Sequence, residues 1–140
     1  MKSHNPQLGY ALEENRVPVV RLKNCLIVSI QGTLHDRQAL QLQQDILAET
    51  KHDRSAGLIL DISAVPILDS YLTRVLNNIA REAQLMGTRS AIVGMRPAIA
   101  IALVTMGLEF GANIETALNL DAALELMARS DSDEQREIDS

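Results

Sequence analysis

The sequence predicts one α/β domain built on a mixed, mostly parallel sheet with four helices. Three observations predict it. Short runs rich in Val, Ile and Leu alternate with segments whose apolar residues recur every three or four positions. Gly, Pro, Asn or Asp marks the junctions between them. The chain of 140 residues has no internal repeat and no linker, and a chain of this size removes about two-thirds of its unfolded surface from water, enough for one core. Strands separated by helices pair in parallel through right-handed crossovers.

Residues 1–15 read as an irregular N-terminal extension, because Asn5-Pro6 and Gly9 break any period. Val17 to Leu22 reads as a strand. Lys23-Asn24 fits a two-residue turn, since Asn tolerates positive φ. Cys25 to Gln31 is a second strand with Leu26, Val28 and Ile30 on one apolar face, so the pair forms a hairpin. Asp36 is placed to cap a helix to about Lys51, where Ala39, Leu42 and Ile46 recur at helical spacing. Gly57 to Asp61 carries an unbroken apolar run that suits a central strand covered on both faces. After a loop containing Pro66, Asp69 caps a second helix, in which Leu72, Val75, Leu76, Ile79, Ala83 and Met86 keep the period until Gly87. Ser90 to Val93 is the next strand. Pro97 and Gly107 bound a third helix. Asn113 to Ala117 is the last strand, and Asn119 or Asp121 caps a final helix through about Ala128. The domain therefore spans residues 16–129, and residues 130–140 form an acidic tail whose composition predicts disorder.

Charge and composition exclude several functions. In the tail, five acids against Arg136 account for −4 of the formal net charge of −5. Nothing resembles the clustered Lys and Arg of a nucleic-acid footprint, and Tyr10, Tyr71 and Phe110 are too few aromatics for base stacking. A lone Cys25 makes no internal disulfide. The N-terminus lacks a signal-peptide pattern, and no apolar run approaches the ~20 residues of a bilayer span. A cytoplasmic protein without a membrane segment is expected.

Enzyme chemistry finds little support. Gly94-Met95-Arg96-Pro97 has one glycine, and its proline lacks an N–H, so it reads as a strand-to-helix turn and not a phosphate cradle. His4, His35 and His52 have no metal-ligand spacing. Cys25 sits in a strand and reads as a small core or half-buried residue. Asp61 ends a strand, where α/β folds place functional carboxylates and where Asp also simply opens loops. No cofactor and no metal are expected, and the chain does not read as an enzyme.

Ser70 is a different matter. It stands directly after Asp69, as the first residue of a helix. A phosphate is tolerated at a helix start, because N–H groups there are unpaired and the end carries partial positive charge. It changes the local charge by roughly −1.5 to −2 without unfolding the domain. The third helix is also unusual. Only Thr105 is polar between Pro97 and Met106. Ile99, Ile101, Leu103 and Val104 spread over more than half a turn, so at least one of them is expected at a contact with another subunit.

The run from Leu60-Asp61-Ile62-Ser63 through Pro66 to Leu68-Asp69-Ser70 resembles the signature loop of STAS domains, the anti-sigma-factor-antagonist fold. Simple antagonists usually continue with a small or hydroxyl residue and a glycine after Asp-Ser; here the continuation is Tyr71-Leu72-Thr73-Arg74-Val75-Leu76, without glycine. That is similar to the RsbS-type branch of the family, as are the segments from Leu22 to Gln31, Leu85 to Gly87, Arg96 to Ala100 and Ile114 to Leu118. The resemblance covers about Val17 to Met127. It implies a scaffold that assembles with an RsbR-type STAS paralogue, sequesters an RsbT-type serine kinase, and releases it on phosphorylation. It implies Ser70 as acceptor, Asp69, Tyr71, Thr73 and Arg74 as the surface the kinase reads, and Asp61 and Ser63 as shapers of the loop. The alternatives are a soluble anti-sigma-factor antagonist, which runs as a monomer or dimer, and a weak nucleotide-binding hydrolase, which turns over nucleotide.

Overall fold

Lys23 and Asn24 have φ of 49° and 64°, a turn whose twist matches that of the strands it joins. It folds β1 (Val19–Leu22) back along β2 (Cys25–Gln31), with Leu22 opposite Cys25. Pairing starts at Val19 and not at Val17, because Pro18 has no N–H to give the ladder. The computed structural model describes residues 16–52 and 57–139, the last ten of these as backbone alone. The N-terminal extension lies outside the described residues.

The remaining strands are β3 (Gly57–Ala64), β4 (Arg89–Val93) and β5 (Ile114–Ala117). They add in parallel to give a five-stranded sheet of order β1-β2-β3-β4-β5. The helices are α1 (Asp36–His52), α2 (Ser70–Leu85), α3 (Pro97–Met106) and α4 (Leu120–Asp139). Each crossover leads to the next strand over. Crossovers of one hand then put α1, α2 and α3 on the same face of the sheet. There Leu26, Val28, Leu58, Leu60 and Ile92 pack with Leu42, Ile46, Leu72, Leu76, Ile79, Ile99 and Leu103. On the other face Cys25, Ile59, Ala91 and Val93 lie under Ala123 and Met127 of α4. Strand β3 is buried on both sides, as its unbroken apolar run requires. Gly57 lets α4 close down, since a Cβ there would stand 2.7 Å from Met127 Cγ and Sδ.

Three helix ends differ from expectation or decide between options. Asp36 is not the cap of α1 but its first residue; His35 holds the cap position, with its N–H donating to Gln38 Oε1 at 2.9 Å. Asn119 caps α4, its Oδ1 accepting from the Ala122 N–H at 2.9 Å. Helix α4 does not stop at Ala128 but runs through Asp139, so the acidic tail is helical where composition predicted disorder. The tail has few apolar residues to dock, yet it also has no Gly or Pro to end the helix. Arg16 and Asp45 brace the approach to β1 against α1, with two N–O distances of 2.9 and 2.5 Å.

Candidate functional site

The site forms at the carboxyl end of β3, the central strand of the sheet. Ser29 of β2 pairs with Asp61, but Gln31 pairs with Ala64, so β3 carries one residue more than its partner across this stretch. Such a bulge frees backbone groups from the ladder. The Asp61 side chain meets one of them: its Oδ1 accepts the Ser63 N–H at 2.9 Å. This bond joins the Asp61 side chain to the backbone two residues on. Gly94, after β4, packs against this turn with φ of 78°. A Cβ there would lie 2.7 Å from Ser63 Cβ and 2.9 Å from Asp61 Oδ1.

From the bulge the chain turns, with the Val65 N–H donating to the Ile62 carbonyl at 3.0 Å. The Arg96 guanidinium donates to the Val65 carbonyl, tying this loop to the start of α3. Val65 and Leu68 are buried and anchor the loop; Ile67 between them is 75% exposed. Asp69 then caps α2, its Oδ1 accepting the Leu72 N–H at 2.8 Å. Losing such a cap costs about 0.5–2 kcal/mol. Ser70 follows as the first helical residue, exposed beside Ile67 on a loop held from both sides.

The four residues expected on one recognition surface separate. Asp69 and Arg74 are exposed and Tyr71 is half-buried. Thr73 is 4% exposed, and its hydroxyl donates to the Asp69 carbonyl at 2.8 Å. It locks the first turn of α2 and offers no surface of its own, which corrects the expectation for it. The Arg74 guanidinium carbon lies 5.8 Å from the centre of the Tyr71 ring. The Asp36 carboxylate at the start of α1, acting first as a hydrogen-bond acceptor, pulls the Tyr71 phenol above its ordinary 10.0; desolvation adds to this and Arg74 opposes it.

Below Ser70 an open cleft of about 410 Å³ runs between α2 and the α3–β5 loop. Ser70, Arg74 and Arg81 line it along one side of α2, and Glu109 and Asn113 line the other side. Asn77 spans it, donating to the Glu109 carbonyl at 3.3 Å and accepting the Gly111 N–H at 2.8 Å. Among the described residues no group of His, Cys, Asp and Glu is placed to hold a metal ion. No helix among them is long and apolar enough to cross a membrane.

Helix α3 divides its four candidate assembly residues. Ile99 and Leu103, one turn apart, enter the core. Ile101 is 66% and Val104 81% exposed. Sequence reasoning missed Ile67, Gly94 and Arg96. The second helix's register places the exposed Ser70, but nothing local shows that Ile67 points outward between two buried neighbours. Arg96 was readable only as part of a turn.

The model of the STAS domain matches residues 16–123. The chain belongs to the STAS domain family. Among solved structures, this STAS domain is similar to a serine-to-glutamate variant of RsbS from Moorella thermoacetica, at 35% identity and a TM-score of 0.70 over 84% of this chain and 98% of that one. It is similar to a chain in a structure of the molecular architecture of the stressosome, at 37% identity and a TM-score of 0.69 over 80% and 96%. It also matches RsbRB of Bacillus subtilis (strain 168), an RsbT co-antagonist protein, at 29% identity over 120 residues. That match takes in 86% of this chain and 43% of the relative, so the STAS chain spans less than half the length of this relative. It is a stressosome-like STAS protein with the anti-sigma-factor-antagonist fold.

Proposed function

We propose that this STAS domain is a non-enzymatic stressosome scaffold of the cytoplasm, which sequesters an RsbT-type serine kinase and releases it once Ser70 is phosphorylated. The observation that carries the reading is the placement of Ser70: exposed, first in its helix, directly after a capping Asp69, on a loop anchored by Val65 and Leu68. In the transfer, Ser70 Oγ forms a bond to the γ-phosphorus of the kinase's ATP as the bond from that phosphorus to the β,γ-bridging oxygen breaks. ADP leaves, and the serine proton passes to a base of the kinase. The STAS chain supplies the hydroxyl and the docking surface; the kinase supplies nucleotide, metal and catalytic groups. The dianion then sits where the kinase had met a neutral hydroxyl and the apolar Ile67, and docking fails through charge and desolvation.

RsbR-type STAS paralogues are the assembly partners in this reading. The exposed Ile101 and Val104 favour it over a solitary antagonist, because each leaves apolar area for a second subunit to cover. The test mixes the chain with an RsbT-type kinase and ATP. Ser70→Ala is expected to retain the kinase and Ser70→Asp to lose it. A main phosphate mapped to another residue sinks the reading.

A further inference from the structure

We propose that Arg74 is the internal reader of a phosphate on Ser70: it leaves the Tyr71 ring and closes on the phosphate one helical turn away. The inference deepens the reading of Ser70 as acceptor and rests on it. Residues 70 and 74 are i and i+4 on α2, the spacing at which helix side chains meet, with the anionic position N-terminal to the cation as the favourable order. Both line the same open cleft, so no rearrangement of backbone separates them.

Arg74 has a weak alternative to give up. Its hold on Tyr71 is a cation–π contact at 5.8 Å on an exposed side chain. A phosphate dianion offers a guanidinium paired, charge-assisted hydrogen bonds, which are shorter and stronger. The other charged groups nearby sharpen the choice. Asp69 precedes the acceptor and repels the phosphate, so a cation is needed there. Asp36 acts on the Tyr71 phenol from the start of α1 and raises it. Arg81 and Glu109 line the same cleft farther along, Arg81 about two turns beyond Arg74. The phosphate would then do two things to a docked kinase. It adds negative charge at Ser70, and it withdraws Arg74 from the Tyr71 surface.

The test uses the full chain with phosphoserine incorporated genetically at position 70, which makes it independent of any kinase. Phosphorus NMR follows the second ionisation of the phosphate, ordinarily near pH ~6. Replacing Arg74 with Gln is expected to raise that ionisation by a few tenths of a pH unit, the size of an i, i+4 ion pair. Arg74→Lys should restore most of the shift, and Arg81→Gln should move it less. In a Tyr10→Phe background, ultraviolet titration should show the Tyr71 phenol rising on phosphorylation, and rising less when residue 74 is Gln. An ionisation indifferent to Arg74→Gln, or more sensitive to Arg81→Gln, overturns the proposal. A kinase that phosphorylates some other residue defeats the acceptor assignment alone, since the titration reads the Arg74–phosphate pair directly.

Discussion

Gly94 and Ser63 touch in a way that leaves no room for a side chain: a Cβ on Gly94 would stand 2.7 Å from Ser63 Cβ and 3.0 Å from the Ser63 backbone nitrogen. The backbone at Gly94 is also left-handed, with φ of 78°. Gly94→Ala therefore meets both strain and a clash that backbone cannot easily relieve. A loss of about 2–4 kcal/mol is expected in denaturant unfolding. A loss below about 0.5 kcal/mol, the scatter of neutral surface changes, would show that this contact does not hold the loop.

Ile67 stands exposed three residues before Ser70, the proposed acceptor, between the buried Val65 and Leu68. Ile67→Asp should weaken kinase binding at least about tenfold, roughly 1.4 kcal/mol, as an apolar anchor at the edge of the site. The melting temperature should hardly move, because the side chain contributes little to the core. Unchanged kinase affinity by titration calorimetry would remove Ile67 from the docking surface.

Val104→Glu places a charge on the exposed side of α3. Stability should stay within about 0.5 kcal/mol of the parent. Particle size by light scattering, measured with an RsbR-type partner, should fall. A large particle that persists with this variant and with Ile101→Glu means that α3 is not the contact.

Asp45 is held below its ordinary 3.8, first by the hydrogen bond from Arg16, with burial opposing and Gln41 and the charge of Arg16 adding to it. A depressed carboxyl contributes its stability in full above 3.8 and loses it as pH falls through the lower folded value. Arg16→Gln should cost about 0.5 kcal/mol at neutral pH, the scale of a partly exposed pair, and the difference should vanish at the acid end. A cost that stays constant down to pH ~2 would assign the effect to packing.

Deleting residues 130–140 should leave the melting temperature nearly unchanged. Helix α4 is seated on the sheet by Ala123 and Met127, both N-terminal to the cut. A drop of several degrees, which in a domain of this size reports about 1 kcal/mol or more, would reveal docking by the acidic segment.

The element order is readable from the residues because each junction carries a physical signal: Asn24 for the hairpin, Asp69 for the start of α2, Pro97 and Gly107 for α3. Strand β3 is readable as central because Leu58, Ile59 and Leu60 face both ways. The burial of Thr73 was also within reach, since Thr73, Leu76, Ala80 and Ala83 follow one another at spacings of three and four on the buried stripe of α2. The orientation of α3 was not, because a helix apolar all round has no polar stripe to set its rotation. Nor was the influence of Asp36 on Tyr71, or the seat of Arg96 on Val65, since both join residues distant in sequence. The helical tail escaped for another reason. Composition tells whether a segment has apolar area to bury, and it is weaker on whether an existing helix continues through it.

The first turn of α2 is fastened three times, by Asp69 Oδ1 to the Leu72 N–H, by the Thr73 N–H to the Asp69 carbonyl, and by the Thr73 hydroxyl to the same carbonyl. A group attached to Ser70 therefore has no slack beneath it to take up. The consequence concerns time. If Ser70 is the acceptor as proposed, no refolding step would stand between the arrival of a phosphate and its effect on a partner, so the delay of the response would be set by dissociation alone and its duration by whatever removes the phosphate. The domain would behave as an erasable mark and not as a moving part, and it could be written and cleared repeatedly without wear on the fold.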